Sequence, residues 1–111
     1  MEIIKIGKEQ GATIIDIKGR IDSVEAPEFE KQLGELINQD ETRIIFNLSG
    51  LDYISSAGLH CILVMATHLE DKKGKMVLAA AQPSVAKVFE ISGLAAIIPT
   101  SESIETALAQ I

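Results

Sequence analysis

Two segments of this chain, TRIIFNLS (residues 42–49) and KMVLAAA (75–81), are short and almost continuously apolar. Runs of this kind fit strands buried on both faces, and such strands need other elements packed over them. The sequence around them supplies that cover. In SSAGLHCILVMATHLEDKKG (55–74), Leu59, Ile62, Leu63, Ala66 and Leu69 form one stripe at helical spacing, with Gly74 as the stop. Across GRIDSVEAPEFEKQLGELINQD (19–40), Phe29, Leu33, Leu36 and Ile37 recur at the same spacing, with Glu28, Glu30, Lys31 and Glu35 outside them. Ser23 and Pro27 fit the start of that helix, because the first-turn N–H groups have no intrahelical partner for proline to remove. PSVAKVFEISG (83–93) reads as a third helix between Pro83 and Gly93. SESIETALAQI (101–111) reads as a fourth, with Ile104, Ala107, Leu108 and Ile111 facing inward.

Three further strands complete the pattern. Residues 2–8 place Ile4 and Ile6 on one face, Gly11 falls in a tight turn, and 12–18 follow with Thr13, Ile15 and Ile17 alternating. That pair is an antiparallel hairpin at a sheet edge, and AAIIPT (95–100) reads as a short strand. Strands alternating with helices predict an α/β fold: a mixed, largely parallel sheet of about five strands with four helices and right-handed crossovers. The whole chain, 1–111, is expected to form one domain. In such sheets function sits beyond the carboxyl ends of the strands. Two candidate loops leave strands there, GRIDS (19–23) and SGLDYISSAG (49–58).

Composition narrows the classes of partner. Apolar residues make up 47% of the chain and charged residues 23%, which excludes disorder for lack of a core. Ten basic against sixteen acidic side chains give a net charge of −6, so phosphate backbones and anionic lipid should repel the chain. Neither nucleic acid nor membrane insertion is expected. Runs such as ILVMA are far below the ~18 apolar residues of a span, and lysines interrupt the amino-terminal segment too early for a signal peptide. A cytoplasmic location follows as an expectation.

Catalytic patterns are missing. A serine hydrolase elbow needs G-x-S-x-G, but Ile54 and Ser55 precede Ser56, and His60 lies one helical turn beyond it. No phosphate-binding glycine loop of either common type is present. His60 and His68 have no ligand partner at metal spacing, and the single Cys61 can form neither an internal disulfide nor a zinc cluster. Glu25, Glu28 and Glu30 read as a solvated helix face. No enzyme activity, metal or cofactor is expected.

The segment GLDYISSAGLHCIL (50–63) resembles the signature of the STAS domain, found in bacterial anti-sigma factor antagonists and in sulfate-transporter tails. IKGRIDSVEAPEFEKQL (17–33) is similar to the family's other characteristic segment, and the order of elements matches over the whole chain. The resemblance implies a stand-alone, STAS-like antagonist: a phosphoprotein of bacterial signalling and transcription regulation that works by protein–protein interaction. Its unphosphorylated form would bind an anti-sigma factor that is a serine kinase, thereby freeing a sigma factor. Phosphorylation would abolish binding, and a phosphatase would restore it. The position matching the modified serine is Ser56, with Ser55 as the alternative, because family members often carry aspartate where this chain has Ser55. Asp22 matches a family acid near that site.

Plain helix chemistry offers a second account of the serines. Either could cap the helix by accepting from free backbone N–H groups, with Gly58 allowing close helix–sheet packing. The helical phase also turns Cys61 and Val64 away from the core stripe, toward the surface beside the serine. The expected partner-binding set is therefore Asp22, Ser23, Ser55, Gly58, Cys61 and Val64 around Ser56. Two other readings remain at this level. One is a STAS docking or structural subunit of a lipid-transport or stress-signalling assembly. The other is a small nucleotide-binding domain or enzyme, which the missing phosphate loop argues against.

Overall fold

The computed structural model describes residues 1–37 and 40–111. The hairpin forms as its period-2 pattern requires: β1 (Glu2–Glu9) pairs antiparallel with β2 (Ala12–Ile21) across a turn at Gln10 and Gly11. Then follow α1 (Ala26–Leu36), β3 (Arg43–Ile54), α2 (Ser56–Asp71), β4 (Lys75–Ala79), α3 (Pro83–Ile91), α4 (Leu94–Ile97), β5 (Thr100–Ser101) and α5 (Ile104–Gln110). The sheet order is β1-β2-β3-β4-β5, and every pair after the hairpin is parallel.

That order decides where the helices lie. Each right-handed crossover from β2 onward advances the sheet by one strand in the same direction, so the connecting helices fall on one face. Phe29 and Leu33 of α1, Ile62 and Leu69 of α2, Phe89 of α3 and Leu94 of α4 bury there against Ile15, Ile17, Phe46, Leu48 and Leu78. The opposite face has only α5, whose Ala107, Ile104, Leu108 and Ile111 pack on Ile14, Ile45, Val77 and Ala79. β3 is thus buried on both faces from Ile44 to Phe46, as its apolar run requires. Ile4 and Ile6 do share a face, but on the strand α5 does not reach, and they are 37% and 57% exposed.

Four sequence expectations need correction. AAIIPT does not form a strand over its length: 94–97 is the extra helix α4, and the strand β5 is only Thr100–Ser101. The reason is periodicity, since Leu94 and Ile98 both point into the core at a spacing of four while Ile97 between them is exposed. SGLDYISSAG is not all loop, because β2 and β3 continue pairing through Ile21 and Ile54 after irregularities in register. Ser23 does not cap α1. Asp22 Oδ1 accepts from Glu25 N at 2.9 Å and Asp22 O from Ala26 N at 3.1 Å, leaving Ser23 exposed in the turn. Residues 38 and 39, at the end of the segment read as that helix, lie outside the described residues.

The fourth concerns how α2 ends. Lys73, not Gly74, takes the left-handed conformation after the helix, with φ of 60°. Gly74 is required by space: a Cβ there would sit 2.1 Å from Thr42 O, the carbonyl that accepts from Lys75 N at 2.7 Å. Because the obstacle is backbone rather than a flexible side chain, Gly74→Ala should lower the unfolding free energy by roughly 3 kcal/mol, as measured by urea denaturation.

Candidate functional site

Beyond Asn47, where pairing with β4 ends, β3 continues paired with β2 alone as far as Ile54, and this brings the two candidate segments together. Ile21 pairs with Ile54, and the ladder closes with Ser55 N donating to Ile21 O at 2.8 Å. Ser55 is extended (φ −84°, ψ 170°), so the chain can turn straight into α2. Its Oγ accepts from Gly58 N at 3.2 Å, and its carbonyl accepts from Leu59 N at 2.9 Å. Ser55 is therefore the cap. Ser56, the first residue of the helix, is exposed and makes no side-chain hydrogen bond to any described residue.

Gly58 allows this arrangement. A Cβ on it would lie 2.8 Å from Ile54 Cγ1 and 2.9 Å from Ile21 Cγ2, so only glycine lets the first turn of α2 rest on the strand ends. Asp22 sits beside this contact, but its carboxylate is committed to closing the turn into α1. Glu25 pairs with the amino terminus at 3.4 Å. On the other side, Gln82 at the start of α3 donates to Ser49 O at 2.9 Å and to Asp52 Oδ1 at 3.2 Å. These bonds fix the entries to α1 and α3 at the carboxyl end of the sheet, where α2 also begins.

The structure divides the remaining candidates. Val64 is half-buried and stands outside the core clusters, as expected of an outward position. Cys61 is not near the surface: it is 6% exposed, with Sγ 3.5 Å from Ala26 O. A stripe facing the sheet alone leaves Cys61 outside it, whereas α2 also packs sideways on α1. That lateral contact buries Cys61 and leaves Leu59, Leu63 and Ala66 only half-buried. Burial first, then the charge of Glu30, pushes the Cys61 thiol above its ordinary range. Sequence reading missed Arg20 and Tyr53, whose guanidinium and ring stack at 4.6 Å, and Val24, which is 85% exposed beside Ser23. The first two become neighbours only through the parallel register, which no local pattern announces.

A serine nucleophile needs a base within hydrogen-bond reach, and among the described residues none bonds Ser56. No group of three His, Cys, Asp or Glu among the described residues could hold a metal. No helix among them is long and apolar enough to cross a membrane.

Comparison with known proteins identifies the family. The family model of the STAS domain matches residues 4–107. The chain belongs to the STAS domain family. Among its relatives, BtrV of Bordetella bronchiseptica, provisionally named an anti-sigma factor antagonist, is 38% identical over 106 residues, covering 96% of this chain and 91% of that protein. An anti-sigma F factor antagonist of Paenibacillus polymyxa is 26% identical, covering 97% and 93% of the two chains. The fold matches that of the anti-sigma factor antagonist SpoIIAA in its unphosphorylated form (TM-score 0.76, 24% identity, 98% of this chain and 93% of that one). It also matches the Bacillus SpoIIAA in its phosphorylated form (TM-score 0.68, 24% identity, 98% and 96%). A STAS domain of this group is a regulatory protein and not an enzyme.

The two serines of this STAS domain can be told apart by stability. Ser55→Ala removes the cap and should cost about 1 kcal/mol in urea denaturation. Ser56→Ala should stay within about 0.5 kcal/mol of the parent, although a helix-start serine is ordinarily read as the cap. Cys61, buried and held protonated, should react with a maleimide far more slowly in the folded chain than in urea.

Proposed function

We propose that this STAS domain is an anti-sigma factor antagonist switched by phosphorylation of Ser56. Unmodified, it binds a cytoplasmic anti-sigma factor that is also a serine kinase, and so frees a sigma factor. The kinase then modifies Ser56, the complex parts, and a phosphatase resets the switch. The observation that carries this reading is the division of labour at the start of α2. Ser55 supplies the cap, so the Ser56 hydroxyl is exposed and can be esterified without breaking any native hydrogen bond. The names of the relatives, and the existence of SpoIIAA in both phosphorylation states, support the same reading.

Physical chemistry puts the switch in the interface. A phosphate adds about −1.5 to −2 charges at a helix start, where the dipole favours it, so the fold should survive modification. A partner docked over that point would have to desolvate or repel the new charge. The docking surface would include Ser23, Val24 and Val64, whose side chains are exposed or half-exposed around Ser56. Asp22 and Gly58 would shape it from beneath rather than touch the partner.

The test is incubation with ATP and the kinase-type anti-sigma factor of the same organism, followed by mass spectrometry and calorimetry. Phosphate should appear on Ser56, and Ser56→Ala should bind constitutively and stay unmodified. Ser56→Asp should lose roughly ten- to a thousandfold in affinity, about 1.4 to 4 kcal/mol, with unchanged helix content. Val64→Lys should weaken binding with little change in thermal midpoint. Phosphate on Ser55 in the parent, or full affinity of Ser56→Asp, would overturn the proposal.

A further inference from the structure

We propose that Arg20 receives the phosphate: when Ser56 is phosphorylated, the Arg20 guanidinium leaves the face of Tyr53, pairs with the phosphate, and uncovers the ring. This rests on the modification of Ser56 put forward above.

The register sets Arg20 beside Tyr53 near the carboxyl edge of the sheet, on the face opposite the buried Ile21 and Ile54, and Ser56 lies just past that edge. Arg20 and Tyr53 are partners across the parallel ladder, Ile21 and Ile54 are the next pair, and Ile21 O holds Ser55 N. Ser56 therefore starts α2 two residues beyond the last pair, while Arg20 stands one residue before it on the adjoining strand. Tyr53 and Ser56 are separated by three residues, at most ~10 Å of chain, and adjoining strands lie ~4.8 Å apart. Arg20 is exposed, and to meet a phosphate on Ser56 its long side chain would leave Tyr53 and reach around the carboxyl edge of the sheet over a distance of that order.

The state of Arg20 in the unmodified chain is the second part of the case. Its guanidinium carbon lies 4.6 Å from the centroid of the Tyr53 ring, and it makes no hydrogen bond or ion pair with any described residue. Stacking uses the flat face of a guanidinium, so all five in-plane N–H donors remain available to a ligand. Arg20 is the one basic residue in the two segments 19–23 and 49–58. The acids around it are engaged elsewhere: Asp22 with Glu25 N, Glu25 with the terminal amine, and Asp52 with Gln82. His60 stands exposed one turn along α2. A stacked arginine with unused donors, beside acids that already have partners, is a cation held in readiness. A phosphate dianion offers it two charge-assisted bonds in fork geometry, a stronger partner than an exposed aromatic face.

The two states then differ in shape as well as charge. Unmodified, the surface beside Ser56 is a hydroxyl flanked by an arginine-capped tyrosine. Modified, it is a phosphate–guanidinium pair flanked by a bare ring. A partner fitted to the first loses both the cation and the ring contact together.

The test uses the chain with phosphoserine genetically encoded at position 56, so it depends on no kinase. The second phosphate ionisation, near 6 in a free phosphoserine, is followed by phosphorus NMR at low salt. A nearby cation favours the dianion, so Arg20 should hold that value below the one in Arg20→Gln by roughly half a unit. His60, Asp22, Glu25 and Asp52 are common to both chains and cancel in the difference. Arg20→Lys, a point charge without the fork, should restore part of the shift. The Arg20 side-chain protons, moved upfield by the Tyr53 ring in the unmodified chain, should return toward their unstacked positions in the phosphorylated one. Equal ionisation in the parent and Arg20→Gln chains, or Arg20 protons still upfield after phosphorylation, would overturn the inference. A positive result together with failed modification of Ser56 by any kinase would instead remove the switch reading and leave this pairing as chemistry of the surface alone.

Discussion

Three successive right-handed crossovers that step the sheet in one direction can only lay their helices on one face. Everything else in the molecule follows from that asymmetry. α1 through α4 crowd above the sheet, and their starts converge at the carboxyl ends of β2, β3 and β4. α5 alone covers the other face, and β1 lies beyond its reach, so the hairpin keeps Ile4 and Ile6 exposed. The basic residues Arg43 and Lys75 hold α5 by donating to its last carbonyls, where a helix dipole favours cations.

Where the helix starts converge, the tolerance is small. Gly58 brings α2 within contact of Ile21 and Ile54, and that approach lets Ser55 extend the ladder to Ile21 while still capping the helix. One serine is consumed by structure and the next is released by it. The same economy applies to the acids: Asp22 and Glu25 both hold the entry to α1, which leaves Arg20 the uncommitted charge of the site.

Period-based reading worked where one packing partner dominates. The α5 stripe around Ala107 faces a single layer, so periodicity predicts it directly. It failed where an element meets two neighbours. α2 packs on the sheet below and α1 beside it, so its buried arc widens to include Cys61, and a stripe drawn for the sheet alone put that residue outside. It failed again at 94–97, where a run of apolar residues can be a buried strand or a buried helical turn and only its neighbours decide.

The sequence by itself determined the alternation of strands and helices, the parallel core strands, and the family signature around the two serines. Those are properties of composition and spacing within one segment. Tertiary structure alone decided which serine is spent as a cap, which face of α2 is open, and that Arg20 lies on Tyr53. Each of these depends on register or close approach between segments far apart in the chain, set by backbone hydrogen bonds such as Ser55 to Ile21 and by the absent Cβ of Gly58. Local periodicity carries no information about a distance between two strands, and those distances set the geometry of this site.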